Sequence, residues 1–450
     1  MKLTSWGKYP LIDTRLVSPA DDARAVAALA QTLGRSASLI GRGMGRSYGD
    51  SALNDQLVVS SLGLNFMESF DEESGLLVTG AGVSLAEILD AFVPRGWFLP
   101  VTPGTKFVSL GGAVASDVHG KDHHIAATFS RHVEWIDLWT PTTGLIRCSD
   151  NNHSDIFHAT AGGHGLTGFI LRVALRLKKI PSAFIKQEMV KAGNLESIMA
   201  VFERYAELPF TVAWIDCLQT GKGLGRSVFM GGGFAEKEDL PGKYRSRPHQ
   251  PPSPRALSVP LDFPSFVLNT SSVKAFNALY YGKAPKGLSK SVVSYNSFFY
   301  PLDAIHNWNR IYGRRGFTQY QFVLPKQTSV FGLPDILKTI AASGQGSFLA
   351  VLKLFGPQPV FDGNISFPME GYTLALDFPI TKKLFPLLDR LDAMVLECGG
   401  RHYLTKDARM SGETFRRGYG PALDEFLAIK KRLDPDGRFA SLQARRLGLL

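Results

Sequence analysis

Closely spaced glycines are the feature of this chain that most clearly points to chemistry. The segment GRGMGRSYGD, residues 41–50, contains Gly41, Gly43, Gly45 and Gly49, so its backbone has almost no side-chain cover. Glycine permits positive φ angles and the close approach of a ligand, and successive backbone N–H groups can then surround a phosphate. A plain tight turn is the other structure that such a run favours. The segment therefore predicts a dinucleotide site if other parts of the chain support it.

The residues that flank these glycines differ from the fingerprint of NAD-type Rossmann folds. That fingerprint places a strand before the glycines, a long helix directly after them and an acidic residue about 20 residues further on. Here residues 47–51 continue as loop, and the apolar run at residues 57–59 is typical of a strand. We therefore expect the glycines to join two strands of another nucleotide-binding fold.

The elements around the glycines predict an α+β domain. A helix is expected at residues 20–33, a strand at residues 76–79, and a short helix after Ser84, which forms a capping box with Glu87. Two further segments, at residues 102–120 and 160–170, are also rich in glycine. They could converge with the first segment on one extended ligand, although each alone is as typical of a turn.

The middle of the chain changes character after residue 180. Alternating and apolar runs there predict a second, antiparallel sheet, at residues 210–217, 292–300, 320–324, 348–355 and 373–378. The Pro-rich stretch at residues 241–264 is expected to be a mobile loop. A last helix is predicted at residues 423–432, and the polar residues that follow His402 indicate a return to the ligand site.

The composition excludes several classes of protein. With 450 residues, 44% hydrophobic and 20% charged, the chain is expected to form a soluble protein of two domains. Its three cysteines are far apart, which favours a reducing compartment over disulfides or paired zinc ligands. No apolar run is long enough to span a membrane, and the N-terminus lacks the apolar centre of a signal peptide.

The net charge of +10 is compatible with several partners. Lysines and arginines are scattered and no nucleic-acid-binding motif accompanies them, so nucleic acid is not expected. Acidic substrate groups, an anionic membrane surface or simply a basic soluble surface explain the charge.

Two polar clusters could take part in catalysis. His119, His123 and His124 suggest a metal, but the surrounding glycines disfavour a shared helix and no carboxylate completes a site, so no metal is expected. His119 is better explained as a polar residue beside a ligand or as a buried histidine. Lys406, between Tyr403 and Asp407, could orient a hydroxyl or a phosphate, or could be an ordinary surface lysine.

These residues together resemble one flavoprotein family. The chain is similar to the decaprenylphosphoryl-β-D-ribose 2'-oxidases, the flavoprotein subunits of a cell-wall epimerase, within the vanillyl-alcohol-oxidase type of FAD protein. The similarity covers nearly the whole chain, and its motifs occur in the same order: TSWG (4–7), GRGMGRSYGD (41–50), PGTKFVSLGGAVASDVHGKDHH (103–124), AGGHGLTG (161–168), QYQFVLP (319–325), KLFG (353–356), SFP (366–368), LDFPI (376–380) and TKDAR (405–409).

The resemblance implies an α+β fold with a divided cofactor domain. An FAD-binding domain of two α/β subdomains would comprise residues 1–183 and 401–450, and an inserted substrate domain on an antiparallel sheet would comprise residues 184–400. The implied FAD-binding residues come mainly from the three glycine segments, and they are Arg42, Gly43, Met44, Gly45, Arg46, Ser47, Tyr48, Gly49, Pro103, Gly104, Thr105, Gly111, Gly112, Ala115, Ser116, His119, Gly120, Gly163, Gly165, Gly168, Ile170, Tyr403 and Lys406.

The resemblance also implies the reaction, which is oxidation of the C2' hydroxyl of a polyprenylphosphoryl-ribose. A separate NADH-dependent short-chain reductase would complete the epimerisation, in the cytoplasm or at the inner face of the plasma membrane. Lys406, His119 and Tyr48 are the implied catalytic residues. The implied substrate-binding residues are Lys121, Trp214, Gln321, Lys353, Phe355 and Ala375.

Two departures from the family pattern change the expectations. Arg46 stands where many relatives carry a histidine bonded to the flavin, so FAD is expected to be noncovalent. Ala375 stands where mycobacterial members have a cysteine, so no thiol is available there, although the chemistry should survive. The alternatives are a soluble sugar or alditol oxidase of the same superfamily, acting on a free polyol, and a flavin-binding scaffold without activity.

Overall fold

The structure is a computed structural model that describes residues 1–34, 37–252, 257–264 and 266–450. Its N-terminal part, residues 1–183, contains short strands and helices in alternation. The strands are β1 (Lys2–Thr4), β2 (Leu11–Asp13), β3 (Arg15–Val17), β4 (Leu39–Arg42), β5 (Leu57–Ser60), β6 (Met67–Asp71), β7 (Leu76–Gly80), β8 (Trp97–Phe98), β9 (Val133–Thr140), β10 (Gly144–Cys148), β11 (Phe169–Arg176) and β12 (Lys178–Lys179). The helices are α1 (Asp22–Gly34), α2 (Leu85–Phe92), α3 (Leu110–Ala115), α4 (His123–Ala126) and α5 (Ser154–Thr160).

The rest of the chain has longer strands and helices. Its strands are β13 (Phe184–Ala192), β14 (Phe210–Ile215), β15 (Ser227–Phe234), β16 (Leu257–Ser258), β17 (Ser289–Ser294), β18 (Ile305–His306), β19 (Phe317–Pro325), β20 (Ala350–Phe355), β21 (Gly371–Pro379) and β22 (Arg401–His402). Its helices are α6 (Leu195–Arg204), α7 (Gly242–Arg245), α8 (Thr270–Lys283), α9 (Tyr295–Phe299), α10 (Lys326–Ser343), α11 (Leu384–Glu397), α12 (Gly412–Tyr419), α13 (Pro421–Leu433) and α14 (Leu442–Leu447). Short 3-10 helices include Pro301–Ala304 and Trp308–Tyr312.

A small parallel sheet holds the first glycine segment. Its strand order is β3-β5-β4, and residues 41–50 lead from the end of β4 toward β5. Leu39 and Val59 are fully buried and anchor this sheet against α1, which contributes Ala25 and Leu29 to the same core. The prediction that the glycines join two strands is therefore confirmed.

The N-terminal part also contains a five-stranded sheet of order β10-β9-β11-β7-β6 and two two-stranded sheets, β1-β2 and β12-β8. All strand pairs of the five-stranded sheet are antiparallel. The capping box predicted at α2 is confirmed, because Ser84 accepts a hydrogen bond from the backbone of Glu87 while the Glu87 carboxylate accepts one from the backbone of Ser84. The strand expected at residues 76–79 is β7.

The large sheet of the central part has the order β17-β13-β15-β14-β20-β21-β19-β22 and is antiparallel throughout. Alternate side chains of its strands, such as Phe322 and Leu374, share a core with Leu337 of α10 and Leu391 of α11. The residues between them point to the opposite face. The predicted antiparallel sheet is confirmed, and its face away from the helices is available for a site.

Two expectations for the central part need correction. The run at residues 292–300 is not one strand, because β17 ends at Ser294, whose side chain accepts a hydrogen bond from the backbone N–H of Ser297 and so begins α9. The Pro-rich stretch contains α7 and β16, and β16 pairs with β18. Residues 253–256, within that stretch, lie outside the described residues. The mobility of the stretch stays a prediction.

The C-terminal residues return to the N-terminal part, as expected. After β22 at the edge of the large sheet, the Thr405 carbonyl accepts a hydrogen bond of 2.9 Å from the backbone N–H of Tyr48. Further along, the Arg438 carbonyl accepts one of 2.8 Å from Leu39. The last predicted helix is α13. The exact domain boundaries remain a prediction, and no helix within the described ranges is long and apolar enough to cross a bilayer.

Candidate active site

A cavity of about 410 Å³ lies between the N-terminal part and the large sheet. Residues of all three glycine-rich segments line one side of it, and side chains of β14, β19, β20 and β21 line the other. Residues that follow β22, including Tyr403 and Lys406, close one end. The three glycine segments therefore converge, as the sequence suggested they could.

The first glycine segment presents unused backbone donors to this cavity. The N–H groups of residues 43–47 donate no hydrogen bond to another described residue. Gly45 has a φ of +64°, and a Cβ there would lie 2.1 Å from Nη2 of Arg42. A Cβ on Gly43 would lie 1.9 Å from Oγ of Ser109. Successive free N–H groups with a residue in the left-handed region form a concavity that suits a pyrophosphate.

The other two glycine segments are joined by hydrogen bonds. The His164 backbone N–H donates to the Ala115 carbonyl at 2.9 Å, at the end of α3. At the start of that helix, Gly111 approaches β7 so closely that a Cβ would lie 2.8 Å from Cβ of Ala81. Ser109 caps the helix by accepting a hydrogen bond from the Gly112 backbone. These contacts hold both segments against the cavity.

One row of residues across the large sheet forms the opposite wall. Trp214 pairs with Val351, Val351 with Ala375, and Ala375 with Gln321, on four adjacent strands. All four line the cavity. Because paired residues of an antiparallel sheet point to the same face, this register brings side chains from four distant parts of the chain together. Ala375, the smallest of them, leaves the centre of the wall open.

His119 and Gln321 connect the two walls. The Nε2 atoms of both residues lie 3.2 Å apart, and the Gln321 amide nitrogen also lies 3.2 Å from Oγ1 of Thr373. An amide NH₂ group can only donate, so His119 Nε2 accepts and the proton of the neutral ring is on Nδ1. Burial, with a contribution from Lys353, lowers the pKa of His119 well below that of a free histidine. Its Nδ1 is buried without a partner among the described residues, so it can donate to a ligand.

Lys406 lies beside a buried carboxyl group. Its Nζ is 4.0 Å from the ring centre of Tyr48. Burial lowers the pKa of Lys406, and the carboxylate of Asp377 partly opposes this effect. Burial likewise raises the pKa of Asp377, whose Oδ1 accepts a hydrogen bond of 2.5 Å from Gln319. A lysine that is easily deprotonated next to a carboxyl group is suited to accept a proton.

Two further lysines make the same end of the cavity basic. Lys121 donates a hydrogen bond to the Phe298 carbonyl, and Nζ of Lys353 lies 3.5 Å from the Gly120 carbonyl. Burial lowers the pKa of each to about 7, and the charge of Lys353 adds to the effect on Lys121. Both side chains line the cavity. An anion bound between them would favour their charged forms.

Most of the predicted site residues line the cavity, but three do not. Gly49 packs on the return segment, where a Cβ would lie 1.8 Å from the Asp407 carbonyl oxygen. Gly163 lies against the Ala159 carbonyl. Phe355 is fully buried behind the wall, 4.8 Å from the ring of His119. These three residues lie behind the wall of the cavity, and the ligand-contacting roles expected of them stay a prediction.

The sequence interpretation overlooked several residues of the site. Gln319 lies two residues before Gln321 on β19, so strand alternation could have identified it. Asp377 is part of the LDFPI motif but was not singled out. Asp303 and Tyr280 also line the cavity. Asp303 lies in the 3-10 helix Pro301–Ala304 and Tyr280 lies near the end of α8, and no local pattern marks either of them.

The three histidines near residue 120 do not form a metal site in the structure. Within the described ranges, no group of three or more histidine, cysteine or acidic side chains is arranged to hold a metal ion. The rings of His119 and His123 are 6.4 Å apart, and the ring of Phe355 is 4.1 Å from that of His123. Nε2 of His124 is 2.8 Å from the Leu208 carbonyl. The three histidines therefore contact different residues.

Arg46, at the position of the flavin-linking histidine of other proteins, lines the cavity. Its guanidinium carbon is 4.0 Å from the ring centre of Trp6, an arrangement typical of a cation–π contact. An arginine has no nucleophilic atom that is free of its proton at ordinary pH. The residues present therefore fit a bound dinucleotide without a covalent bond at this position.

Comparison with known proteins supports the nature of the ligand. Residues 14–149 match the model of the FAD binding domain family. These residues include the first two glycine segments. The match agrees with the unused N–H groups of residues 43–47, because FAD contains a pyrophosphate. FAD is the cofactor of this protein.

Curated relatives extend the comparison to the whole chain. The chain is 39% identical to the decaprenylphosphoryl-beta-D-ribose oxidase of Mycolicibacterium smegmatis, across 100% of this chain and 98% of that protein. It is 31% identical to an uncharacterised protein of Streptomyces coelicolor, across 82% of this chain and 100% of that protein. The bovine L-gulonolactone oxidase is 26% identical across 40% of this chain and 39% of its own length. The full-length match, together with a cavity built from the motifs shared with that family, shows that the chain belongs to the decaprenylphosphoryl-β-D-ribose oxidase family of FAD-dependent oxidoreductases.

Proposed function

We propose that this chain oxidises the C2' hydroxyl of a polyprenylphosphoryl-β-D-ribose to the 2'-ketone. The observation that carries the proposal is the convergence of Lys121, Lys353 and Lys406 on one cavity. A phosphoribose brings an anion and a secondary alcohol to that cavity, whereas a free polyol brings only the alcohol. The name of the relative from Mycolicibacterium smegmatis supports the same substrate.

Different side chains of the cavity have different roles in the proposed reaction. Bound FAD supplies the acceptor for the hydride that leaves C2'. Lys406, in its neutral form, takes the hydroxyl proton as the carbonyl forms. Lys121 and Lys353 hold the phosphate, and Tyr48 and the wall of β14, β19, β20 and β21 exclude water and fix the sugar.

His119 has a positioning role in this proposal. Because its ring is neutral and its Nε2 accepts from Gln321, Nδ1–H remains to donate a hydrogen bond to the substrate or the cofactor. Phe355 and Tyr403, with ring centres 4.8 and 5.1 Å from that of His119, fix the plane of the ring. The C2' hydroxyl of the substrate would then lie between His119 and Lys406.

The second candidate function is oxidation of a free sugar or alditol. The partial match to L-gulonolactone oxidases, over 40% and 34% of this chain, favours it. Lys121 and Lys353 would have no anion to bind in that reaction. The two candidates therefore differ in their need for a phosphate.

An anaerobic assay separates the candidates. The purified flavoprotein is mixed under nitrogen with farnesylphosphoryl-ribose, with xylitol or with sorbitol, and the flavin absorbance is followed. We expect the flavin to be bleached by farnesylphosphoryl-ribose and by neither polyol. Bleaching with a polyol only would reverse the assignment, and no bleaching with any of them would favour a scaffold.

The mode of FAD attachment gives a simple prediction. With Arg46 in place of a flavin-linking histidine, precipitation in trichloroacetic acid should release all of the yellow flavin into the supernatant. The measurement is the absorbance of the supernatant relative to that of the pellet. Flavin that stays in the washed pellet would show a covalent bond.

The product suggests a partner and a location for the protein. The 2'-ketone needs a hydride donor to become the arabinose epimer, so an NADH-dependent short-chain reductase would act next and supply a precursor of cell-envelope glycans. Because a polyprenyl chain stays in a bilayer, the protein would work in the cytoplasm at the inner face of the plasma membrane. Formation of the arabinose epimer from the ribose substrate, measured with and without such a reductase, tests the partnership.

A further inference from the structure

The outer side of α8 has an unusual composition for a helix at a protein surface. Val273, Asn277 and Tyr281 lie on its inner side, where Asn277 donates to the Asp216 carboxylate at 2.8 Å and Tyr281 donates to the Ala192 carbonyl at 3.2 Å. A surface helix normally presents charged and polar residues opposite its buried side. Here the exposed residues opposite are mostly small or apolar, namely Ala275, Phe276, Ala278, Leu279, Tyr280 and Gly282.

Large apolar side chains are exposed on this helix and just before it. Leu279 is 65% exposed and Phe276 is 43% exposed. Phe266, in the turn that leads into α8, is 74% exposed, and the Asn269 side chain donates to its carbonyl at 2.9 Å. We call Phe266, Phe276 and Leu279 the α8 face. Such a group of exposed apolar residues indicates an interaction surface.

The charged residues of the segment that carries the α8 face have one sign. Residues 266–290 contain four lysines and no aspartate or glutamate. Lys274, Lys283 and Lys286 are exposed, and none of the three forms an ion pair with a carboxylate of the described residues. An apolar group surrounded by lysines complements the surface of an anionic bilayer. The α8 face of a second copy of the chain would carry the same positive charge, so two such faces would repel each other.

The α8 face continues into the cavity through aromatic residues. Tyr280 lines the cavity and is itself 37% exposed, so it lies at the mouth. Its ring is 4.6 Å from that of Trp214, on the sheet wall, and 6.1 Å from that of Phe276. Phe276 in turn lies 5.5 Å from Phe348. An apolar path therefore leads from the outer surface of α8 to the wall of the cavity.

We propose that the α8 face docks the protein on an anionic bilayer, with Phe266, Phe276 and Leu279 inserted among the acyl chains and the lysines on the head groups. The mouth of the cavity at Tyr280 then faces the bilayer, so a polyprenyl chain need not leave the membrane while its sugar is oxidised. This inference rests on the proposed function for its purpose, although the docking itself does not depend on it.

Vesicle flotation of the FAD-loaded protein tests the docking. The vesicles contain phosphatidylglycerol and phosphatidylcholine in equal amounts, or phosphatidylcholine alone. We compare the double variant F266Q/L279Q with the control F331Q/L145Q, which changes two side chains that are 75% and 55% exposed elsewhere. We expect the first pair to lower binding to the anionic vesicles by at least about ten-fold, because each insertion is lost, and the control pair to leave it unchanged.

Three results would overturn the docking proposal. The first is an equal loss of binding in both variant pairs, and the second is equal binding of the wild-type protein to both kinds of vesicle. The third is a loss of binding that occurs together with a loss of dimers in analytical ultracentrifugation, which would assign the α8 face to a second copy. The lysines also predict that binding weakens between low and high salt.

Activity measurements separate this proposal from the proposed function. With farnesylphosphoryl-ribose in solution, F266Q/L279Q should turn over at the wild-type rate, whereas with a long polyprenyl substrate in anionic vesicles it should be slower by about ten-fold, in parallel with binding. Equal loss on both substrates would overturn the docking role. Vesicle binding without turnover of any phosphoribose would contradict the proposed function while leaving the docking surface supported.

Discussion

Replacing Lys406 with alanine is expected to leave FAD bound and to lower kcat by at least about 100-fold. That is the effect typical of a missing acid–base or positioning group, and it corresponds to about 2.7 kcal/mol in the barrier. The side chain borders the cavity without belonging to the glycine segments, so the yellow colour should persist. Anaerobic flavin reduction by farnesylphosphoryl-ribose measures the step directly. A Lys406→Ala protein that reduces its flavin at a near-normal rate would contradict the assignment.

Companion variants show what Lys406 does. Lys406→Arg keeps the positive charge but cannot lose its proton, so it should be as slow as the alanine variant if Lys406 accepts the proton. If Lys406 acts as the neutral amine, the rate should rise with pH through its pKa, which burial holds below that of a free lysine. The carboxylate of Asp377 raises the pKa of Lys406, so Asp377→Asn should move this limb to lower pH, by about one unit. An unchanged pH profile would assign Asp377 a purely structural role.

Replacing Gly45 with valine is expected to abolish FAD binding and with it all activity. The residue has a φ of +64°, a conformation that β-branched residues adopt only with strain. Its Cβ would also lie 2.1 Å from Nη2 of Arg42, so either the Arg42 guanidinium would have to leave the Thr4 carbonyl, to which it donates at 2.7 Å, or the loop would have to shift. The added side chain would also cover the N–H groups that are expected to surround the phosphate. The measurement is the ratio of flavin to protein after purification, followed by titration with FAD.

Gly221→Val provides the matched control for Gly45→Val. Gly221 has nearly the same φ, +63°, but a Cβ there would meet nothing within 4 Å, and the residue does not line the cavity. The two variants therefore carry similar backbone strain in different places. A Gly45→Val protein that stays yellow, or a Gly221→Val protein that is equally colourless, would show that the first glycine segment does not hold the cofactor.

Local patterns in the sequence were sufficient for the frame of the fold. The capping box at Ser84, the strand pair around the glycines and the alternating strands of the large sheet all depend on neighbours along the chain, and the structure contains each of them. The break at Ser294 shows the limit of this approach. An apolar run can form a strand or a helix, and here a single serine cap ends β17 and begins α9.

The site was predictable only where its residues lie in motifs or share a strand face. Gln321 belongs to such a motif and Ala375 directly precedes one, but the register that places them in one row with Val351 and Trp214 is a tertiary property. Asp303, in a 3-10 helix, and Tyr280, near the end of α8, reach the cavity only through the tertiary fold. The sequence also does not distinguish residues that line the cavity from residues that pack behind its wall. Phe355 and Gly49 belong to the shared motifs but do not touch the cavity.

The position of the C-terminal segment has a consequence for how the protein is made. Arg446 forms ion pairs of 2.8 Å with both Asp50, the last residue of the first glycine segment, and Asp407. The amide of Asn54 also donates to the Ala440 carbonyl at 2.6 Å. A ribosome synthesises the N-terminal residues first, and Arg446 follows Asp50 by 396 residues. The first glycine segment therefore lacks this partner for as long as the chain is shorter than 446 residues.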